Sequence, residues 1–158
     1  MKMAVLTISD TSFLKMRRDE SGPAVKKRLE ELGWEVSTLE VLPDERAMIA
    51  QRLRELADGN GVQAVFTTGG TGAALRDVTP EATKDVVERE MPGFGEKMRI
   101  EGLRHTPLAM LSRATAGLRG KTLIVNLPGS PRGAVESLDA IVELIPHVVR
   151  LLQGETGH

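Results

Sequence analysis

The chain of 158 residues contains no cysteine. That excludes disulfides, thiol nucleophiles and cysteine metal sites, and it fits a reducing compartment. Histidine is scarce: His105, His147 and His158 include no close pair, which argues against a histidine metal cluster. There is no basic excess either. The formal net charge is −1, whereas a dedicated nucleic-acid binder usually carries a clear positive balance. The one local basic cluster, "KMRR" (Lys15 to Arg18), reads as a solvated loop. Long apolar runs are missing too. "MKMAVLTISD" is too short an apolar run for a signal peptide, and no stretch approaches the roughly 18 apolar residues of a membrane span. The expectation is a cytoplasmic protein with neither nucleic acid nor a membrane as partner. No internal repeat or linker is visible, so residues 1–158 are expected to form a single domain with a proper core.

What is present is an ordinary globular mixture, 41% hydrophobic and 27% charged. "MAVLTIS" (Met3 to Ser9) reads as a buried strand, and Asp10 to Glu20 as a long polar loop. Ser21 offers an N-cap to a helix with Val25, Leu29 and Leu32 at helical spacing, and Gly33 ends it. Trp34 to Leu42 reads as a second strand. Pro43-Asp44-Glu45 opens a helix with an apolar stripe of Met48, Ile49, Leu53 and Leu56, ended by "GNG" (Gly59 to Gly61). Val62 to Thr68 is a third strand. Thr79 to Glu90 reads as a helix with Pro80 at its first position. A break at Pro92-Gly93 leads into another helix. Residues 114–119 form a possible strand, turned at Arg119-Gly120-Lys121 into a clear strand, Thr122 to Leu127. A last helix follows Pro131 and is interrupted at Pro146. This alternation predicts an α/β protein with an open, mostly parallel sheet and helices on both faces.

Ligands of such sheets bind beyond the carboxyl ends of the strands. The residues there include Ser9-Asp10-Thr11, Pro43-Asp44, Gly69 to Asp77 and Pro128-Gly129-Ser130. "TTGGTGAALRDVTPEAT" (Thr67 to Thr83) places Gly69, Gly70 and Gly72 at a strand-to-helix turn. Bare backbone N–H groups suit a phosphate cradle; a tight turn without a ligand is the other reading. It is neither a Walker A loop nor a Rossmann fingerprint. Gly120-Lys121-Thr122 lacks the leading glycine, since position 115 is Thr, and it precedes a strand. Asp77 beside a phosphate cradle is repulsive unless a cation such as Mg²⁺ compensates. Asp44 supplies a second carboxylate on the same edge. The pair points to metal-assisted phosphoryl or nucleotidyl transfer. The alternatives are Asp44 as a helix N-cap, and Asp77 as a cap or a partner of Arg76. "NLPGSP" (Asn126 to Pro131) is a second glycine loop, for another part of a ligand or merely a turn. Ser112-Arg113, a hydroxyl and a guanidinium before the possible strand, has no assigned role at this level.

"TTGGTGAALRDVTPEAT", "REMPGFGEKMR", "SRATAG" and "NLPGSPRGAVE" together resemble the MoaB/Mog family of molybdenum cofactor biosynthesis. The "SD" after the first strand and "DESGPAV" (Asp19 to Val25) also fit, and the similarity spans about residues 4 to 150. The resemblance implies a three-layer α/β/α fold with a mostly parallel central sheet, and a homotrimer or hexamer. It implies transfer of AMP from Mg-ATP to the terminal phosphate of molybdopterin, with hand-over to a molybdenum insertase. The catalytic, Mg²⁺-holding aspartates fall on Asp44 and Asp77. Substrate-binding positions fall on Gly69, Gly70, Thr71, Gly72, Ser112, Pro128, Gly129 and Ser130. Arg76 and Lys121 are candidates for neutralising charge. Leu75 stands where the family usually has proline, a change in loop stiffness more than in chemistry. A non-catalytic molybdopterin-binding or scaffold protein of the same fold is the alternative.

Overall fold

The computed structural model of the chain describes residues 1–59 and 61–157. Asn60, inside the expected "GNG" turn, and His158 lie outside the described residues.

Six strands form one sheet: β1 (Lys2–Ile8), β2 (Glu35–Leu42), β3 (Ala64–Thr68), β4 (Arg89–Glu90), β5 (Ala116–Arg119) and β6 (Thr122–Leu127). Their spatial order is β2-β1-β3-β6-β5-β4. The first four in that order run parallel; β5 is antiparallel to β6, and β4 is antiparallel to β5. The central strands are buried on both faces, which is why they read as continuous apolar runs. The edge strand β2 alternates between exposed and half-buried positions.

The helices are α1 (Asp10–Phe13), α2 (Ser21–Glu31), α3 (Arg46–Asp58), α4 (Thr79–Lys84), α5 (Pro92–Gly102), α6 (Pro131–Ile141) and α7 (Ile145–Leu152). Short 3₁₀ turns cover Pro107–Leu111 and Val142–Leu144. They pack in two layers. On one face Met3, Val5, Phe66, Leu123, Val125 and Leu127 meet Val25, Leu29, Phe94, Leu138, Ile141 and Ile145. On the other, Ala4, Leu6, Val65 and Ile124 meet Ile49, Leu53, Leu56, Ala82 and Val86. Alternate residues of each strand serve alternate layers, as the pleat requires. The architecture is the three-layer α/β/α sandwich with a mostly parallel sheet.

Several local expectations change. The Asp10–Glu20 loop contains the one-turn helix α1. Ser21 is the first residue of α2, not its cap. The Asp19 carboxylate accepts from Gly22 N–H at 3.1 Å, and the Ser21 hydroxyl pairs with Thr68 Oγ1 at 2.8 Å. Met48 is 44% exposed, and Ala50 takes its place in the buried stripe of α3. The helix expected to reach Glu90 stops at Lys84, because Arg89–Glu90 pairs with β5. Pro146 marks the interruption of the last helix: a 3₁₀ turn precedes α7, and the proline sits in its first turn.

Candidate active site

The parallel strands end together, so the loops after β1, β2, β3 and β6 share one edge of the sheet. A cavity of about 390 Å³ opens there, lined by Asp44, Gly69, Gly70, Asp77, Gly129 and Ser130 among others. A larger one, about 670 Å³, is lined by Thr71, Gly72, Ser112, Pro128 and Ser130 together with residues of α5, α6 and the Pro107–Leu111 turn. Ser130 lines both cavities. The tertiary structure thus brings all ten sequence-predicted site residues to two adjoining cavities that meet at the glycine loops.

The glycines are required by close approach. Gly69 has φ +93, and a Cβ there would collide with the carbonyl oxygen of Ile8. Gly70 has φ +67; its missing side chain would strike Thr79 Oγ1 and come within 3.2 Å of Asp44 Oδ1. At Gly72 a Cβ would lie 2.8 Å from Asp77 Oδ2. Both carboxylates therefore stand directly against the glycine loop. A Cβ on Gly129 would lie 3.2 Å from Gly69 Cα, so the two glycine loops press backbone to backbone.

Asp44 does not cap α3; that position is Glu45, without a side-chain bond. Instead Asp44 Oδ2 accepts from Asp10 N–H at 2.9 Å, and Asp10 Oδ1 accepts from Asp44 N–H at 2.9 Å. The exchange ties the ends of β1 and β2. Arg76 donates to both Asp10 oxygens at 3.0 and 2.9 Å and to Glu45 Oε1 at 3.1 Å. It is therefore not Asp77's partner. Burial pushes the Asp44 carboxyl above its ordinary value, and the nearby charges of Asp10 and Asp77 add to that; the Asp10 N–H and Arg76 act the other way. Asp10 is held below its ordinary value by the Asp44 N–H and by Arg76. Asp77 Oδ2 accepts from Ala74 N–H at 3.0 Å, closing the turn that carries it. Lys121 precedes β6 and so lies at the opposite end of that strand from Pro128, away from the site. Leu75 is fully exposed on the loop surface.

Ser130 caps α6, its hydroxyl accepting from Gly133 N–H at 3.1 Å. Ser112 Oγ accepts from Ala114 N–H at 3.2 Å. Its neighbour Arg113 holds the glycine loop together. Arg113 N–H donates to Thr71 O at 2.9 Å, Nε to Gly72 O at 2.8 Å and one terminal nitrogen to Asp77 O at 2.7 Å. The other terminal nitrogen pairs with Glu81. Sequence reasoning left Arg113 without a role; a lone arginine before a strand gave no local signal for a partner 41 residues away.

The donor set fits Mg²⁺ carried by a nucleotide. Among the described residues no three His, Asp or Glu side chains converge into a resident metal site. Mg²⁺ usually takes one or two carboxylates and completes its shell with phosphate oxygens and water. Asp44 and Asp77 supply such oxygens: Asp44 Oδ1 lies within 3.2 Å of where a Gly70 Cβ would stand, and Asp77 Oδ2 within 2.8 Å of where one on Gly72 would. The buried Thr79 hydroxyl, against Gly70, has no hydrogen-bond partner.

Known proteins share this sequence and fold. The family described as "probable molybdopterin binding domain" matches residues 4–147. A molybdopterin adenylyltransferase of Helicobacter pylori J99 is 44% identical over 154 residues, covering 96% of this chain and 88% of that protein. One from Escherichia coli K12 is 39% identical over 168 residues, covering 98% and 86%. The crystal structure of the molybdopterin biosynthesis enzyme MoaB from Thermus thermophilus superposes with a TM-score of 0.91. It is 48% identical, with 97% of this chain and 96% of that one covered. With the motifs, the superposition and these relatives in agreement, the chain belongs to the MoaB/Mog family of molybdopterin-binding proteins.

Proposed function

We propose that this protein is a molybdopterin adenylyltransferase, with residues 1–158 acting as one catalytic domain. A phosphate oxygen of molybdopterin attacks the α-phosphorus of ATP. The bond from that phosphorus to the bridging oxygen breaks, and pyrophosphate leaves with the electron pair. The observation that carries this reading is the placement of Asp44 and Asp77 directly against the glycine loop. The Helicobacter pylori and Escherichia coli relatives, whose matches cover most of the chain, are adenylyltransferases by name, and this supports it.

The smaller cavity would take the triphosphate, and the larger, apolar-walled one the pterin. Mg²⁺, when bound with ATP, would neutralise the triphosphate and polarise the α-phosphate. Asp44 and Asp77 would hold that ion. N–H groups of the Gly69–Gly72 and Pro128–Ser130 loops would orient phosphate oxygens and oppose developing charge. Arg113 keeps the loop that carries Asp77 in register. No protein nucleophile is needed, in keeping with a chain without cysteine. The reaction draws on ATP and so belongs in the cytoplasm, with adenylated molybdopterin passed to a molybdenum insertase.

The assembly is a homotrimer or its dimer. Ile100, Leu103, Met110 and Leu111 are exposed on α5 and the turn after it, apolar surface that a second copy would cover.

The test is incubation of purified protein with molybdopterin, Mg²⁺ and ATP, following pyrophosphate and adenylated pterin together. Product that requires both pterin and Mg²⁺ is expected. Tight pterin binding without product would instead make the protein a carrier or scaffold of the same fold.

A further inference from the structure

The segment between α1 and α2 lines the smaller cavity with Arg17 and Arg18. They are the only basic side chains among that cavity's lining residues, whose acidic members are Asp19, Glu20, Asp44 and Asp77. Among the described residues neither guanidinium has a carboxylate partner or donates a hydrogen bond. Arg28, Arg46, Arg52, Arg76, Arg113 and Arg119, by contrast, are each paired with a carboxylate.

The backbone holds this segment in a specific shape. Lys15 has φ +57, a left-handed conformation unusual for a residue with a side chain. Its N–H donates to Ser12 O at 3.1 Å and that of Met16 to Thr11 O at 2.9 Å, the bond pattern of a helix end normally closed by glycine. Strained non-glycine residues persist where the surroundings impose them, often at ligand clamps. Beyond the arginines, Asp19 pins the segment. Its carboxylate accepts from Thr7 Oγ1 at 2.7 Å and from Gly22 N–H at 3.1 Å. Arg17 and Arg18 are thus held between two anchored points on the cavity wall.

A triphosphate with one divalent cation is still anionic, and four carboxylates line its cavity. Something cationic must offset this, and guanidinium forks match phosphate oxygens in pairs. We propose that Arg17 and Arg18 grip the terminal phosphates of the nucleotide, the part released as pyrophosphate. This rests on the adenylyl transfer proposed above. The pterin phosphate is the less suitable target. It enters in line with, and opposite to, the leaving group, whereas both arginines line only the smaller cavity. Charge that gathers on the leaving pyrophosphate as its bond to the α-phosphorus breaks falls beside these two cations.

The experiment compares the intact protein with the double variants R17A/R18A and R17K/R18K. Steady-state kinetics give KM for ATP and for molybdopterin. Calorimetric titration with inorganic pyrophosphate and Mg²⁺ gives a binding constant independent of turnover. The alanine pair is expected to raise KM for ATP and weaken pyrophosphate binding, each about tenfold or more. KM for molybdopterin and binding of AMP stay unchanged. The lysine pair recovers part of the loss, because charge returns without the fork. Normal ATP and pyrophosphate parameters in the alanine pair overturn the clamp while leaving the adenylyl transfer intact. A change confined to KM for molybdopterin also overturns it. If the unaltered protein makes no product yet loses pyrophosphate binding on R17A/R18A, the clamp stands and the reaction falls.

Discussion

Asp44 is ionised at a cost. Burial and the charges of Asp10 and Asp77 raise its value, so the folded state holds this proton more tightly than the unfolded chain does. That contribution to stability is full below the unfolded value and is lost as pH rises through the folded one. Asp44→Asn keeps an acceptor for Asp10 N–H and removes the loss. Solvent screening limits the gain to a few tenths of a kcal/mol, about 1 °C in Tm at this chain length. The expectation is a Tm for the ligand-free variant about 1 °C above that of the unaltered protein at pH 7, and no difference at pH 3, with adenylation down roughly 100-fold or more. A lower Tm at pH 7 in thermal scans would contradict the electrostatic account. For Asp77 the outcome differs. Asp77→Asn retains an acceptor for Ala74 N–H, so folding and pterin binding stay intact while turnover is lost. Normal turnover, or failure to fold by circular dichroism, would remove Asp77 from the catalytic role.

The element that decides the site is the turn between β3 and α4. It is built from glycine backbone on one side and held by Arg113 on the other. Gly69→Ala forces a side chain against the rigid Ile8 carbonyl at positive φ. A destabilisation of about 2–3 kcal/mol is expected from urea unfolding; an unchanged midpoint would mean that the loop relaxes freely. Arg113→Lys keeps one charge but cannot reach Gly72 O, Asp77 O and Glu81 together. Loosening of the Asp77 turn is expected to lower kcat/KM by roughly 10- to 100-fold with the fold kept. Kinetics equal to those of the unaltered protein would show that the turn holds itself.

For the whole molecule, the prediction is a mass by light scattering of three times the 17.1 kDa chain, or of twice that trimer, at micromolar concentration. A monomeric mass would leave the apolar side chains of Ile100, Leu103, Met110 and Leu111 uncovered and refute the assembly. The layered architecture itself was legible in the chain. Strands Met3, Ala64 and Thr122 onward are continuous apolar runs, and Val25 and Leu29, or Ile49, Leu53 and Leu56, recur at helical spacing. Periodicity reports which face is buried, and burial on two faces of a sheet leaves few topologies open.

The sequence by itself determined the α/β order, the edge on which the glycine loops stand, and the two aspartates set among them. Each of these is local: a strand, its following turn, and residues within that turn. Only the tertiary structure decided what those residues touch. Asp10 exchanges hydrogen bonds with Asp44 across 34 positions, Arg113 grips a loop 41 positions back, and Arg17 and Arg18 line the same cavity as the carboxylates. It also decided that Arg89–Glu90 is a strand and not the end of a helix, because β5 lay beside it to pair with. Local periodicity carries no information on such pairings, since they depend on strand order and register across the sheet, which arise only when distant segments pack together.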